Sequence, residues 1–157
     1  MTTLHEWKPG QASKAKFQIA TDPAGAERRE FRRHDLEQQA ITIDRWDGSR
    51  KTGKPLGHIV DLSAGGVRVR CGQADVRPDQ QVRVRIELPA YAGICPFIEK
   101  TADQSVAPKR EWVGWMAVAR VNKVDDKTVD VAGRLVDMDE MDRGMLGLYL
   151  STQPLAA

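Results

Sequence analysis

The stretch Val82-Arg83-Val84-Arg85-Ile86-Glu87-Leu88, closed by Pro89, puts every apolar residue at an even position and every charge at an odd one. Strict alternation of this kind belongs to a β-strand with one face in a core and the other in water. Proline ends it, because it cannot donate to a strand ladder. The same period recurs on both sides. Val67, Val69 and Cys71 alternate with Arg68 and Arg70, which predicts a strand with valines inward and arginines outward. Ile41 and Ile43 alternate with polar neighbours, with Trp46 as a continuation, and His58-Ile59-Val60 is a further short strand. Trp112 to Asn122 and Val129 to Val136 supply two more, joined by Lys123-Val124-Asp125-Asp126-Lys127. The fold class is therefore mainly β. Six short strands in meander-like order predict a closed or nearly closed six-stranded antiparallel β-barrel.

Other segments carry other signals. The polar tract from Asp47 to Lys54 reads as a hairpin loop. Ala90 to Arg110 reads as one long loop, large for a compact domain. From Asp139 to Leu150 the period changes to that of a C-terminal α-helix, with Met141, Met145, Leu148 and Tyr149 forming one apolar stripe. Asp137 or Asp139 is placed to cap it, and Glu140 and Asp142 suit the positive end of its dipole. The helix is expected to cover an end or an edge of the barrel. Residues 1–26 are polar and weakly patterned and read as a flexible N-terminal segment. Residues 27–151 read as the domain, and residues 152–157 as a tail.

With 41% hydrophobic and 29% charged residues, the chain can bury one modest core and stay in solution. No apolar run approaches the roughly 20 residues that cross a bilayer, and Met1 to Trp7 lacks the basic start and apolar stretch of a secretory signal. Cys71 and Cys95 lack CxxC spacing and read as two buried or idle thiols. A cytoplasmic location is the expectation. His5, His34 and His58 are scattered, so no metal site is expected. Asp137-x-Asp139-x-x-Asp142 lacks the central glycine of a calcium loop. No nucleophile with a base, and no phosphate-cradling glycine loop, appears, which argues against an enzyme.

The net charge of +2 is too small for a broad DNA-binding face, but its distribution is uneven. Arg28, Arg29, Arg32 and Arg33 crowd into Glu27-Arg28-Arg29-Glu30-Phe31-Arg32-Arg33, just before the first strand. Guanidinium forks bond bidentately to phosphate oxygens or to the O6 and N7 of guanine, and they stack on bases. The bland reading is a solvated linker whose arginines pair with Glu27, Glu30 and Asp35. The second cluster is Asp61-x-Ser63-x-x-Gly66, a turn between strands. Asp61 and Ser63 project to one side of an extended chain. A carboxylate there can accept from N1 and N2 of guanine, Ser63 can add a hydroxyl bond, and Gly66 lets a ligand approach the backbone. The bland reading is an Asx-type turn with a convenient glycine.

An RRxxxR segment before the first strand, followed by DxSxxG between the second and third, resembles the PilZ domain family. The resemblance covers about Glu27 to Leu150 and is weakest through the loop after Pro89. It implies a six-stranded split barrel that binds cyclic di-GMP on its outside through these two motifs. Arg29 and Arg33 would hold guanine edges and phosphates, with Arg28 helping to hold a second, stacked ligand molecule. Asp61, Ser63 and Gly66 would read the guanine. Arg28 and Arg32 are also four apart, but the Arg29 and Arg33 register puts Arg28 and Phe31 where the family has an arginine and an aromatic. His34 departs from the apolar residue usual there. No cofactor other than this ligand is implied. The partners expected are cyclic di-GMP and a protein effector, with nucleic acid unlikely. Two alternatives remain: an adaptor working by protein contacts without nucleotide, and a small RNA- or single-strand-binding barrel using Arg68, Arg70, Arg83 and Arg85.

Overall fold

A computed structural model describes residues 31–46, 53–72 and 75–156. In chain order the strands are β1 (His34–Asp35), β2 (Thr42–Arg45), β3 (Lys54–Leu62), β4 (Gly66–Cys71), β5 (Gln81–Glu87), β6 (Phe97–Lys100), β7 (Val106–Lys109), β8 (Glu111–Lys123) and β9 (Val129–Val136). Helix α1 (Glu140–Leu150) follows. The main sheet runs β1-β3-β2-β5-β8-β9-β4, and β4 pairs back onto β3. That last pairing closes β2, β3, β4, β5, β8 and β9 into a six-stranded antiparallel barrel, as the alternation predicted. Meander order breaks after β4, since β5 lies beside β2.

The barrel interior is what the even positions of β5 foretold. Val82, Val84, Ile86 and Leu88 are buried with Val67, Val69 and Cys71 of the β4 strand. Trp112 and Met116 of β8 join the same core, whereas Trp115 is 41% exposed on the outer wall. Burial raises the Cys71 thiol to about 11, because a thiolate would be taken out of water there.

Two β-bulges decide which side chains face outward. In the β3–β4 pairing Ile59 faces Val69 and Asp61 faces Arg68, so Val60 is an extra residue. Without it, Asp61 would share the inward set of Val67. With it, Leu62 takes that inward place and Asp61 turns to the outer face. In the β8–β9 pairing Val118 faces Gly133 and Arg120 faces Ala132, which leaves Ala119 as the extra residue. Met116 and Val118 point inward, so parity alone would send residue 120 inward too. The bulge passes that place to Val121, which packs against the core, and leaves Arg120 exposed.

Three elements differ from the sequence reading. Strand β3 begins at Lys54, inside the expected hairpin loop, because Pro55 and Gly57 mask its period. Pro55 is tolerated beside a register shift against β2, where its missing N–H leaves no regular ladder bond unmade. The expected long loop contains the β6–β7 hairpin, whose Phe97 is buried in the main core. Its four-residue strands are too short to print a period. The helix stripe is also rotated. Leu146, Tyr149 and Leu150 are buried, while Met141 and Leu148 are 53% and 57% exposed. The rotation is fixed at the first turn, where Asp139 Oδ1 caps the Asp142 amide at 2.7 Å. Asp142 in turn accepts from the Ile98 amide at 2.9 Å, tying α1 to β6.

The C-terminal residues reach back to the start of the described chain. Asp35 N donates to Pro154 O at 2.8 Å and Ala156 N to Arg33 O at 3.1 Å. His34 also bridges to Leu155. Strand β1 thus lies between β3 and the chain end, which fixes the backbone of Arg33.

Two measurements check this packing. A Cβ on Gly57 would strike the backbone carbonyl of Arg70. Gly57→Ala is expected to cost about 1–3 kcal/mol in urea unfolding. Native protein at pH 8 should react with a thiol reagent at the half-buried Cys95 and not at Cys71, both reacting once unfolded. The Cys71 contribution to stability has a definite sign. The fold holds the protonated thiol, so this stability is complete below the ordinary thiol value and is lost as pH rises toward about 11.

Candidate functional site

Strand β1 pairs His34 with Leu62 and Asp35 with Asp61, which brings the segment ahead of it alongside the end of β3. Arg33 Nη1 lies 3.6 Å from Asp61 Oδ1. Arg68 Nε, from the strand on the other side, lies 2.7 Å from Asp61 Oδ2. The Asp61 side chain is only 4% exposed, so two guanidiniums hold a buried carboxylate between them. The contact with Arg68 is one of charge. Its N–H is not aligned on the oxygen as a hydrogen bond requires, and among the described residues neither Arg68 Nε nor Asp61 Oδ1 has a hydrogen-bond partner.

The charges continue around the outer wall with alternating sign. Arg70 places Nε at 3.0 Å and Nη2 at 3.3 Å from the two oxygens of Asp130, and its Nη1 lies 2.6 Å from Glu37. Those two carboxylates, Asp130 foremost by its hydrogen bond, hold the Arg70 guanidinium above its ordinary value. On β5, Arg85 meets Glu111 at 2.5 Å, Glu87 at 3.0 Å and Asp44 at 3.4 Å. Three of the four arginines considered as a nucleic-acid face are therefore neutralised by acids.

The turn after β3 is self-contained. Ser63 Oγ accepts from the amides of Gly66 at 2.9 Å and Gly65 at 3.3 Å, and Ser63 N donates to Gly66 O at 2.8 Å. Gly65 O accepts from Leu135 N at 3.1 Å, which pins the turn against β9. A Cβ on Gly65 would meet the Phe31 ring at 2.7 Å, so the glycine is what lets that ring lie on the turn. The Arg143 guanidinium sits over the Phe31 ring, 5.4 Å from its centroid.

These elements enclose an open cavity of about 650 Å³. The turn residues Ser63, Gly65 and Gly66 form one side and Phe31 another. Among the described residues four arginines line it, Arg33, Arg120, Arg134 and Arg143, and no aspartate or glutamate does. A concave surface with four cations attracts anions, and its partly apolar walls strengthen that field.

Of the residues singled out in the sequence, Arg33, Ser63 and Gly66 line one cavity. Asp61 lies directly behind, buried under Arg33 and Arg68, and does not line the open space. Arg32 is exposed and lies outside the cavity lining. Arg28 and Arg29 fall outside the described residues. Sequence reasoning passed over Arg120 and Arg143, and for Arg134 it weighed a place facing the ligand against a structural role and favoured the latter. For Arg120 a signal existed, since Val118-Ala119-Arg120-Val121 breaks the alternation of β8 and marks the bulge. Arg143 offers none, being one polar residue among several on a helix. No group of three or more potential metal ligands occurs among the described residues. Nor is any described helix long and apolar enough to cross a membrane.

By sequence, the chain matches no family model and no curated protein. By structure it is similar to the Bacillus subtilis inhibitor of motility, MotI/DgrA, with a TM-score of 0.57 at 16% identity. That match covers 80% of this chain and 50% of the other, so this chain spans half of MotI/DgrA. It is also similar to the PilZ domain of Escherichia coli YcgR, solved with c-di-GMP, with a TM-score of 0.55 at 10% identity. Here 81% of this chain and 92% of the other are covered. The fold is PilZ-like.

Removing Arg68 takes the nearer cation from a buried carboxylate. Arg68→Ala is expected to lower stability by about 1–3 kcal/mol, a buried-pair cost discounted for the partly exposed arginine. Arg83→Ala, exposed on the same barrel, should stay within about 0.5 kcal/mol of the parent. Equal losses in urea titrations of the two variants would contradict the Asp61 pairing.

Proposed function

We propose that this chain is a non-catalytic receptor for cyclic di-GMP that signals to a partner protein in the bacterial cytoplasm. The observation that carries the reading is the cavity at the Ser63–Gly66 turn, lined among the described residues by four arginines and no acid. A cyclic dinucleotide offers two phosphodiesters for guanidinium forks and two flat bases for stacking, and the cavity supplies both kinds of partner. Phe31 and Arg143 already form a ring-on-guanidinium stack against which a base can lie. The likeness in fold to a PilZ domain solved with c-di-GMP supports the same ligand.

The ligand changes the partners of Arg33 and Asp61. Its phosphate draws Arg33 off the carboxylate, and guanine N1 and N2 donate to Asp61 in its place. Arg68 stays with Asp61 throughout, so the buried charge is never left alone. Arg28 and Arg29, just ahead of Phe31 in sequence, are further contacts to the ligand on this reading. Repositioning that segment alters the surface offered to a protein effector, and binding thereby biases the output. The regulated process is motility, adhesion or exopolysaccharide production. The likeness to an inhibitor of motility points to the first of these.

Titration calorimetry with cyclic di-GMP, with cyclic di-AMP and GTP as controls, tests the reading. Binding at low micromolar or tighter is expected for cyclic di-GMP, which is about −7 to −8 kcal/mol or better. No heat at tens of micromolar overturns it. Arg29→Ala, Arg33→Ala and Asp61→Ala should each weaken binding at least tenfold, whereas Arg32→Ala should leave it within about threefold, since one lost charge-assisted contact is worth about 1.5–3 kcal/mol. A larger loss from Arg28→Ala and Arg32→Ala would move the motif by one residue.

A further inference from the structure

Three outward arginines of this barrel meet acids. Arg68 has Asp61, Arg70 has Asp130 and Glu37, and Arg85 has Asp44, Glu87 and Glu111. Arg120, Arg134 and Arg143 break this pattern, for none has a carboxylate within ion-pair reach among the described residues. All three nonetheless line one cavity. Arg120 and Arg134 are near neighbours on paired strands, since Arg120 faces Ala132 and Arg134 faces Ala117. Like charges so placed repel and destabilise the fold, and an empty site gains nothing from them. Arg120 reaches this face only through the Ala119 bulge, a local irregularity spent on turning an arginine toward another arginine. Arg143 has a further unspent donor, its Nε being buried without a hydrogen-bond acceptor. A buried donor of that kind asks for a partner.

We infer that Arg120, Arg134 and Arg143 form a second anion-binding set, built by β8, β9 and α1 and independent of the two sequence motifs. Its ligand class is a phosphate group, one borne by a molecule whose other phosphate meets Arg33 across the cavity. Arg134 joins the two sets, because it pairs with Gly66 in the β4–β9 ladder and so lies beside the turn. Gly66 has no Cβ to stand between that arginine and the turn. A ligand with two separated phosphates therefore spans the site, whereas a mononucleotide satisfies one set only. The inference rests on the proposed function for the identity of the bis-phosphate ligand, but not for the existence of the anion set.

The test uses two probes on the full chain. In amide NMR spectra, inorganic pyrophosphate should shift the signals of Gly66, Arg120 and Arg134, and these shifts should disappear in Arg120→Gln/Arg134→Gln. Both residues are exposed, so this variant keeps the barrel, and the dispersion of its spectrum checks that it does. In calorimetry the same variant should bind cyclic di-GMP at least tenfold more weakly than the parent. Its affinity should also depend less steeply on salt, because fewer cations face the ligand. Arg143→Lys, which keeps the charge and loses the fork, should weaken binding by a smaller factor. If pyrophosphate shifts these signals and cyclic di-GMP does not bind, the anion set stands and the proposed ligand falls. If cyclic di-GMP binds parent and double variant equally, the ligand stands and the second set is overturned. Absence of any pyrophosphate shift at these residues also overturns it.

Discussion

Everything at the site depends on the pairing of β3 with β4, because it closes the sheet and brings Asp61 beside Arg68. Once the sheet is a closed tube, its inside accepts only apolar side chains of matching size, and each strand must alternate strictly to stay in register. A polar residue that belongs outside but carries the wrong parity has one remedy, an inserted residue. The chain uses it twice in the same neighbourhood, at Val60 and at Ala119. One bulge turns out a carboxylate and the other an arginine. The barrel wall is therefore regular over β5 and irregular where it faces the cavity.

The outer wall divides into two electrostatic regimes. At Arg68, Arg70 and Arg85 of β4 and β5 the charges are paired, each guanidinium meeting one or more carboxylates. Such pairs contribute little to stability where they are exposed, but they hold side chains in fixed orientations and discourage non-specific binding of polyanions. At the cavity the pattern is broken, with four arginines and, among the described residues, no acid. Placing like charges together works against folding, so their convergence is a mark of selection for something other than stability.

Much of the architecture was legible in the sequence because a half-buried strand writes its period directly into residue order. Val82 to Leu88 does so without interruption, and Val67 to Cys71 nearly so. Legibility failed where another influence overwrote the period. Pro55 and Gly57 concealed the start of β3, the β6–β7 strands were too short to alternate visibly, and α1 presented two apolar faces of similar quality. The helix was oriented by Asp139 and Asp142 bonding to amides, a choice that hydrophobic spacing does not encode. Of the site, Arg33, Ser63 and Gly66 were legible as motif residues. The depth of Asp61 behind its two arginines was not, since burial of a carboxylate depends on which strands flank it. Arg120 and Arg134 become neighbours through the bulged β8–β9 register, and Arg143 joins them from α1.

The double pairing of Asp61 bears on how the carboxylate tolerates change around it. A buried carboxylate held by one cation resists losing it, because the bare charge in a poorly solvated site costs several kcal/mol. Asp61 has a second cation at 2.7 Å, so a carboxylate that gave up Arg33 would still face Arg68. The segment that carries Arg33 is therefore held to the barrel less stringently than a single buried ion pair would hold it.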